Sequence, residues 1–92
     1  NPEPVFAFPA LRLHDVFEVG QGHLKMRFTG GDGARLGAVL FRAGGSPLGQ
    51  ALAAAKGETL HVCGHLALDR WGGREAVELR LSDAAKARAR GM

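Results

Sequence analysis

The chain has 92 residues, of which 46% are hydrophobic, so it is long enough for one compact domain and too short for two. Its formal net charge is +3, but Lys86, Arg88 and Arg90 supply that whole excess, and the remaining nine basic residues balance nine acidic ones. Net charge alone therefore does not indicate a nucleic-acid partner, and Cys63, as the only cysteine, excludes an internal disulfide and a CxxC-type zinc site.

The N-terminal segment is predicted to be a linker. Residues 1–9 begin with "NPEP", in which two prolines block regular structure. No apolar stretch typical of a signal peptide or a membrane span follows, so we expect a cytoplasmic segment of a longer protein with no membrane contact.

Two strands with a tight turn between them come next. The first spans about Ala10 to Val19, and its apolar phase changes near Asp15, which predicts a β-bulge. The second contains "HLKMRF", where apolar and basic residues alternate strictly. We predict that Leu24, Met26 and Phe28 point inward and that His23, Lys25 and Arg27 point outward.

A third strand and a helix follow the "TGGDG" loop. The strand is predicted over Arg35 to Arg42, with Phe41 in the core. Ser46 is the expected N-cap of the helix, Pro47 its first residue and Gly57 its C-cap.

Two more strands complete the domain. The fourth spans about Glu58 to Asp69, with an inward set of Leu60, Val62, Gly64, Leu66 and Leu68. The fifth follows the turn "DRWGGRE" and is predicted to point Val77, Leu79 and Leu81 inward. Residues 84–92 are expected to be a basic tail, frayed or weakly helical, so residues 10–83 form the predicted domain.

This order of elements predicts an all-β fold with one helix. Three strands, a helix and two strands make up the OB-fold, a five-stranded Greek-key barrel. An SH3-like barrel is the alternative, but it does not usually need a full helix between its third and fourth strands. The helix therefore favours the OB-fold.

The ligand face of an OB-fold predicts where nucleic acid would bind. Ligands usually lie across the second and third strands and the neighbouring loops, and single-stranded nucleic acid needs cations for phosphates and flat groups for stacking. The alternative is a solvated strand face with Trp71 folded over the barrel end. The predicted nucleic-acid-binding residues are His23, Lys25, Arg27, Arg42, Trp71 and Arg74.

The sequence contains no catalytic constellation. His61, Cys63 and His65 share a strand face but lack a fourth metal ligand, so we interpret them as half-buried structural residues. Adjacent positions on one face also diverge, which argues against a Cys–His nucleophile pair. We predict no catalytic residue, metal site or bound cofactor in this chain.

Four segments resemble the C-terminal part of the RecJ family. They are "NPEPVF", "VGQGHLKMRF", "LGAVLF" and "DRWGGREAVELRLSD", and their order and spacing cover nearly the whole chain. The resemblance implies a bacterial 5′ to 3′ exonuclease of the DHH family, specific for single-stranded DNA, that acts in recombination and repair. Among the matching residues it points to His23 and Lys25.

The resemblance also implies what lies outside this chain. RecJ proteins hold Mn or Mg in N-terminal catalytic domains, and this chain has neither an Asp-His-His nor a Gly-Gly-His motif. It would be the non-catalytic OB module of the nuclease. The implied partners are single-stranded DNA, the DHH domains of the same chain, which residues 1–4 would contact, and single-strand-binding protein as a further candidate.

Two functions are compatible with these observations. The module either binds single-stranded DNA for the nuclease, as the placement of Lys25, Arg27 and Trp71 suggests, or it braces the catalytic lobes and has little DNA affinity. The charge balance of residues 1–83 favours the second. We predict the first.

Overall fold

Five strands and one helix make up the part of the chain that the computed structural model describes, residues 4–71 and 74–87, with the side chains of residues 69–71 and 74–75 outside that description. The strands close into a barrel in the spatial order β1-β2-β3-β5-β4. Element order and closure confirm the predicted OB-fold. The elements are β1 (Phe6–Val19), β2 (His23–Thr29), β3 (Arg35–Leu40), α1 (Pro47–Ala53), β4 (Thr59–Trp71) and β5 (Arg74–Lys86).

Strand β1 serves both sides of the barrel because it bends. Its first part pairs with β4 and its second part pairs with β2, with a register shift between Leu13 and Asp15. This irregularity is the predicted bulge. The barrel closes through one parallel pair, in which Gly37–Val39 of β3 lie beside Glu78–Arg80 of β5.

The inward side chains form one core that α1 helps to cover. Leu13, Met26, Phe28, Leu52 and Leu79 are its largest fully buried side chains, and burying each contributes about 1.5–3 kcal/mol. They come from four strands and the helix, so the barrel depends on all of these elements together.

Helix α1 begins as predicted and ends earlier than predicted. The Ser46 hydroxyl accepts a hydrogen bond from the Gly49 N–H at 3.0 Å, and Pro47 is the first helical residue. The C-cap is Ala54, and the prediction of Gly57 was wrong. Gly57 instead donates its N–H to the Leu13 carbonyl at 2.8 Å, so it joins the loop to β1.

Three strand limits differ from those predicted. Strand β1 begins at Phe6 because residues 6–8 pair with residues 62–64 of β4. Residues 84–86 are not frayed or helical but extend β5 along residues 60–62. Strand β3 ends at Leu40, because Arg42 adopts a left-handed backbone with φ of +56° that ends the extended chain.

The β4–β5 hairpin extends past the barrel. Leu68 and Val77 are paired and are 55% and 53% exposed, so their predicted place in the core was wrong. Among the described residues no third strand pairs with this part of the hairpin, which leaves its inner side uncovered. No helix in the described ranges is both long and apolar enough to cross a membrane.

Candidate nucleic-acid interface

The outward side chains of β2 and of its neighbours in the barrel form one surface. Lys25 lies beside Phe17 of β1 and Val39 of β3, and Val39 lies beside Arg80 of β5. Residues paired across a sheet point to the same side. We call this surface the outer face, and its members are Phe17, His23, Lys25, Arg27, Phe41 and Arg80.

His23 organises the turn that follows β3. Its Nδ1 atom accepts a hydrogen bond from the Arg42 N–H at 2.9 Å, so the proton of the neutral ring lies on Nε2. The imidazole also meets the Phe41 ring edge-on, with 5.4 Å between ring centroids. The structure therefore brings the predicted residues His23 and Arg42 together.

Phe41 lies on the outer face and not in the core. Its side chain is 50% exposed, and the Arg80 guanidinium lies over the ring, with Cζ 5.7 Å from the centroid. A cation–π contact at an exposed site contributes about 0.5–1 kcal/mol. The core prediction failed because Leu40 is the last inward residue of β3, so alternation turns the next side chain outward.

Arg80 is a member of the outer face that sequence reasoning missed. It lies between Leu79 and Leu81, both buried, so alternation along β5 already predicted an outward side chain. Its position beside β3 depends on the parallel β3–β5 pairing. That pairing joins residues far apart in the chain, so only the complete barrel brings Arg80 to Phe41.

Lys25 forms an ion pair on this face. Its Nζ lies 3.2 Å from Oε2 of Glu78, and the two side chains are 44% and 22% exposed. Such a surface pair stabilises a protein by roughly 0–1 kcal/mol. Its larger effect is that a carboxylate offsets the Lys25 charge at the centre of the outer face.

Arg27 lies on the exposed part of the outer face between Asp15 of β1 and Gly37 of β3. The Asp15 carboxylate lies 3.7 Å from the Lys56 ammonium and accepts a hydrogen bond from the Val16 N–H at 3.0 Å. Arg27 forms no ion pair with the carboxylates of the described side chains. Its guanidinium is therefore available to an anion.

Trp71 and Arg74 are paired at the end of the β4–β5 hairpin. This places both backbones away from the His23 end of the outer face, because β5 starts beside the beginning of β3. Their side chains lie outside the described residues. Their assignment to the interface stays a prediction.

His61 and His65 hold the N-terminal part of the chain. His61 Nδ1 accepts a hydrogen bond from the Ala10 N–H at 3.0 Å, and His65 Nδ1 lies 3.1 Å from the Pro4 carbonyl, to which it must donate. The two rings therefore need different tautomers. In the described ranges no three His, Cys, Asp or Glu residues are grouped so as to hold a metal ion.

Comparison with known proteins finds one family and two similar structures. A family model described as the RecJ OB domain matches residues 1–83, while the curated protein sequences give no match. Rim1, a mitochondrial single-stranded DNA binding protein of S. cerevisiae, superposes with a TM-score of 0.69 at 15% identity, covering 92% of this chain and 94% of Rim1. SSBb, the second single-stranded DNA binding protein of Mycobacterium smegmatis, gives 0.68 at 18% identity and covers 98% of both chains.

Proposed function

The chain belongs to the RecJ OB-domain family, and from this we propose that it is the module that holds single-stranded DNA for a RecJ-like exonuclease. The nuclease, a phosphodiester hydrolase of DNA recombination and repair, would have its catalytic DHH domains elsewhere in a longer chain. Mn or Mg would bind there. The best metal-ligand candidates here, His61 and His65, direct Nδ1 to the backbone of residues 10 and 4 and so do not fit such a site.

The exposed Phe41 ring with its basic neighbours is the observation that carries this proposal. Unpaired bases expose flat surfaces that stack on aromatic rings and guanidinium groups, and each stack contributes about 1–3 kcal/mol. Phe41 supplies such a surface, with the Arg80 guanidinium 5.7 Å from its ring centroid. Lys25 and Arg27 lie on the same face and supply cations for phosphates.

Charge and fold give further support. The two similar structures named above are both described as single-stranded DNA binding proteins. The charge balance of residues 1–83 does not oppose DNA binding, because phosphates respond to the local charge of the groove that they occupy. On the outer face Arg27 and Arg80 have no ion-pair partner among the described side chains.

A Phe41→Ala substitution tests the stacking contact. We expect it to weaken binding of an oligothymidylate of about 16 nucleotides, the upper site size of an OB-fold, by about tenfold. Fluorescence anisotropy of the labelled oligonucleotide measures this change. The salt dependence should stay as in the wild type, because no phosphate contact is lost.

Phe6→Ala is the matched control for this experiment. Phe6 is also exposed, but it pairs with Gly64 of β4, outside the outer face. We expect unchanged affinity. Equal weakening by both substitutions would mean that Phe41 acts through the fold, and would contradict the stacking role.

The alternative function is a bracing domain that packs against the catalytic lobes. The exposed Leu68 and Val77 pair favours it, because an uncovered apolar strand surface is typical of a protein contact. The Lys25–Glu78 pair also reduces the positive charge of the outer face. If the wild-type chain binds no oligonucleotide even at low salt, the binding proposal is wrong and bracing is favoured.

A further inference from the structure

A groove of about 370 Å³ lies on the outer side of the barrel where β2 ends and β3 begins. Arg27 and Thr29 of β2 line one side, and Arg35 and Gly37 of β3 line the other. His14 of β1 completes it. The groove therefore gathers two guanidinium groups, an imidazole and a hydroxyl at the opposite end of β3 from Phe41.

Gly37 leaves the middle of the groove open. A Cβ added at this residue would meet no atom within 4 Å, so the missing side chain creates space that nothing else fills. Its strand partner is Arg27, and the partner of Arg35 is Thr29. The two arginines thus flank a part of the sheet where a ligand can approach the backbone.

The carboxylates nearest to the groove are engaged by other groups. The Asp15 carboxylate, beside Arg27, lies 3.7 Å from the Lys56 ammonium. Asp32, in the loop before β3, accepts the Ala34 N–H at 3.0 Å. Glu78, beside Gly37, pairs with Lys25 at 3.2 Å. Among the described side chains no carboxylate pairs with Arg27 or Arg35, so the groove has an uncompensated positive charge.

We propose that this groove is a phosphate-binding subsite that holds the backbone of the bound single strand. Guanidinium groups bind phosphate oxygens in a bidentate manner, and the Thr29 hydroxyl is a further donor. Arg35 and Phe41 are six residues apart on and just after β3, or roughly 20 Å at the rise of a strand. One strand would thus be fixed at two points, by stacking at Phe41 and by charge at Arg35. This subsite rests on the proposed function.

The salt dependence of binding tests the subsite. Each phosphate contact to single-stranded DNA contributes about −0.7 to the slope of log K against log salt. We expect Arg35→Ala to reduce the magnitude of the slope by about 0.7 and to weaken binding about three- to tenfold at low salt. Lys86→Ala removes the same charge far from the groove and should change neither quantity.

Amide shifts in NMR spectra identify the source of the phosphate. The Arg35 and Gly37 amides should shift with the oligonucleotide and not with inorganic phosphate or thymidine monophosphate at the same phosphate concentration. Shifts caused equally by inorganic phosphate, with an unchanged slope for Arg35→Ala, would make the groove a site for free anions and overturn the proposal.

The remaining outcomes separate the subsite from the proposed function. If the oligonucleotide shifts the Phe41 amide and leaves Arg35 and Gly37 unchanged, the subsite is wrong and DNA binding stands. If the wild-type chain gives neither shifts nor anisotropy change, DNA binding itself fails, and the subsite fails with it.

Discussion

Glu78 places a carboxylate at the centre of a surface that otherwise carries cations. Its Oε2 lies 3.2 Å from the Lys25 ammonium, and its strand neighbour is Gly37, which borders the phosphate groove. A phosphate that approaches Lys25 must compete with this carboxylate and is repelled by it. We therefore interpret Glu78 as a residue that limits the affinity of the outer face.

A Glu78→Gln substitution should raise DNA affinity. It keeps the size of the side chain, frees the Lys25 ammonium for a phosphate and removes one repulsive charge. We expect binding of the same oligonucleotide to tighten about three- to tenfold at low salt, with a slope steeper by about 0.7. Anisotropy titrations over a range of salt concentrations measure both quantities.

Glu58→Gln is the control for charge. Glu58 pairs with Lys86 at 3.3 Å, outside the outer face, so this variant raises the net charge equally without freeing Lys25. Its affinity should stay near that of the wild type. An unchanged or weaker affinity of Glu78→Gln would show that Lys25 does not contact the strand.

At the scale of the elements, two glycines on neighbouring barrel strands have opposite surroundings. A Cβ at Gly64 would clash with the carbonyl group of Arg80, because β4 approaches β5 closely at the register shift after Cys63. A Cβ at Gly37 would meet open space. Gly64 is therefore required for strand packing, whereas Gly37 only leaves room on the surface.

Alanine substitutions should separate these two roles. Gly64→Ala should lower the free energy of unfolding by about 2 kcal/mol or more, since backbone must move to admit the methyl group. Gly37→Ala should change it by less than about 1 kcal/mol. Urea unfolding followed by circular dichroism measures both, and a similar loss for the two variants would contradict the described β4–β5 packing.

The elements were more predictable than the surfaces they form. The bulge near Asp15 and the Ser46 cap follow from local patterns, namely a change of apolar phase and a capping residue before proline. Alternation also gives the side of the sheet for Phe41 and Leu68. It does not tell where the barrel ends, so both were assigned to the core. The Lys25–Glu78 pair depends on β3–β5 closure, which local sequence does not encode.

For the whole molecule, the barrel and the hairpin beyond it are expected to differ in what they contribute. The core joins residues of β1, β2, β3, α1, β4 and β5, so removing any large member affects the entire fold. Leu68 and Val77 lie where β4 and β5 pair with each other alone among the described strands. Their exposed surface adds little to folding and is free for a contact with another domain.

Two leucine substitutions of the same chemistry test this division. Leu79→Ala, at a fully buried residue, should cost about 2–5 kcal/mol of unfolding free energy. Leu68→Ala should cost less than about 0.5 kcal/mol, because its side chain is already exposed to water. Urea unfolding of the 92-residue chain checks both values. A cost for Leu68→Ala close to that for Leu79→Ala would mean that the hairpin packs on the barrel, and would remove the apolar surface on which the bracing alternative depends.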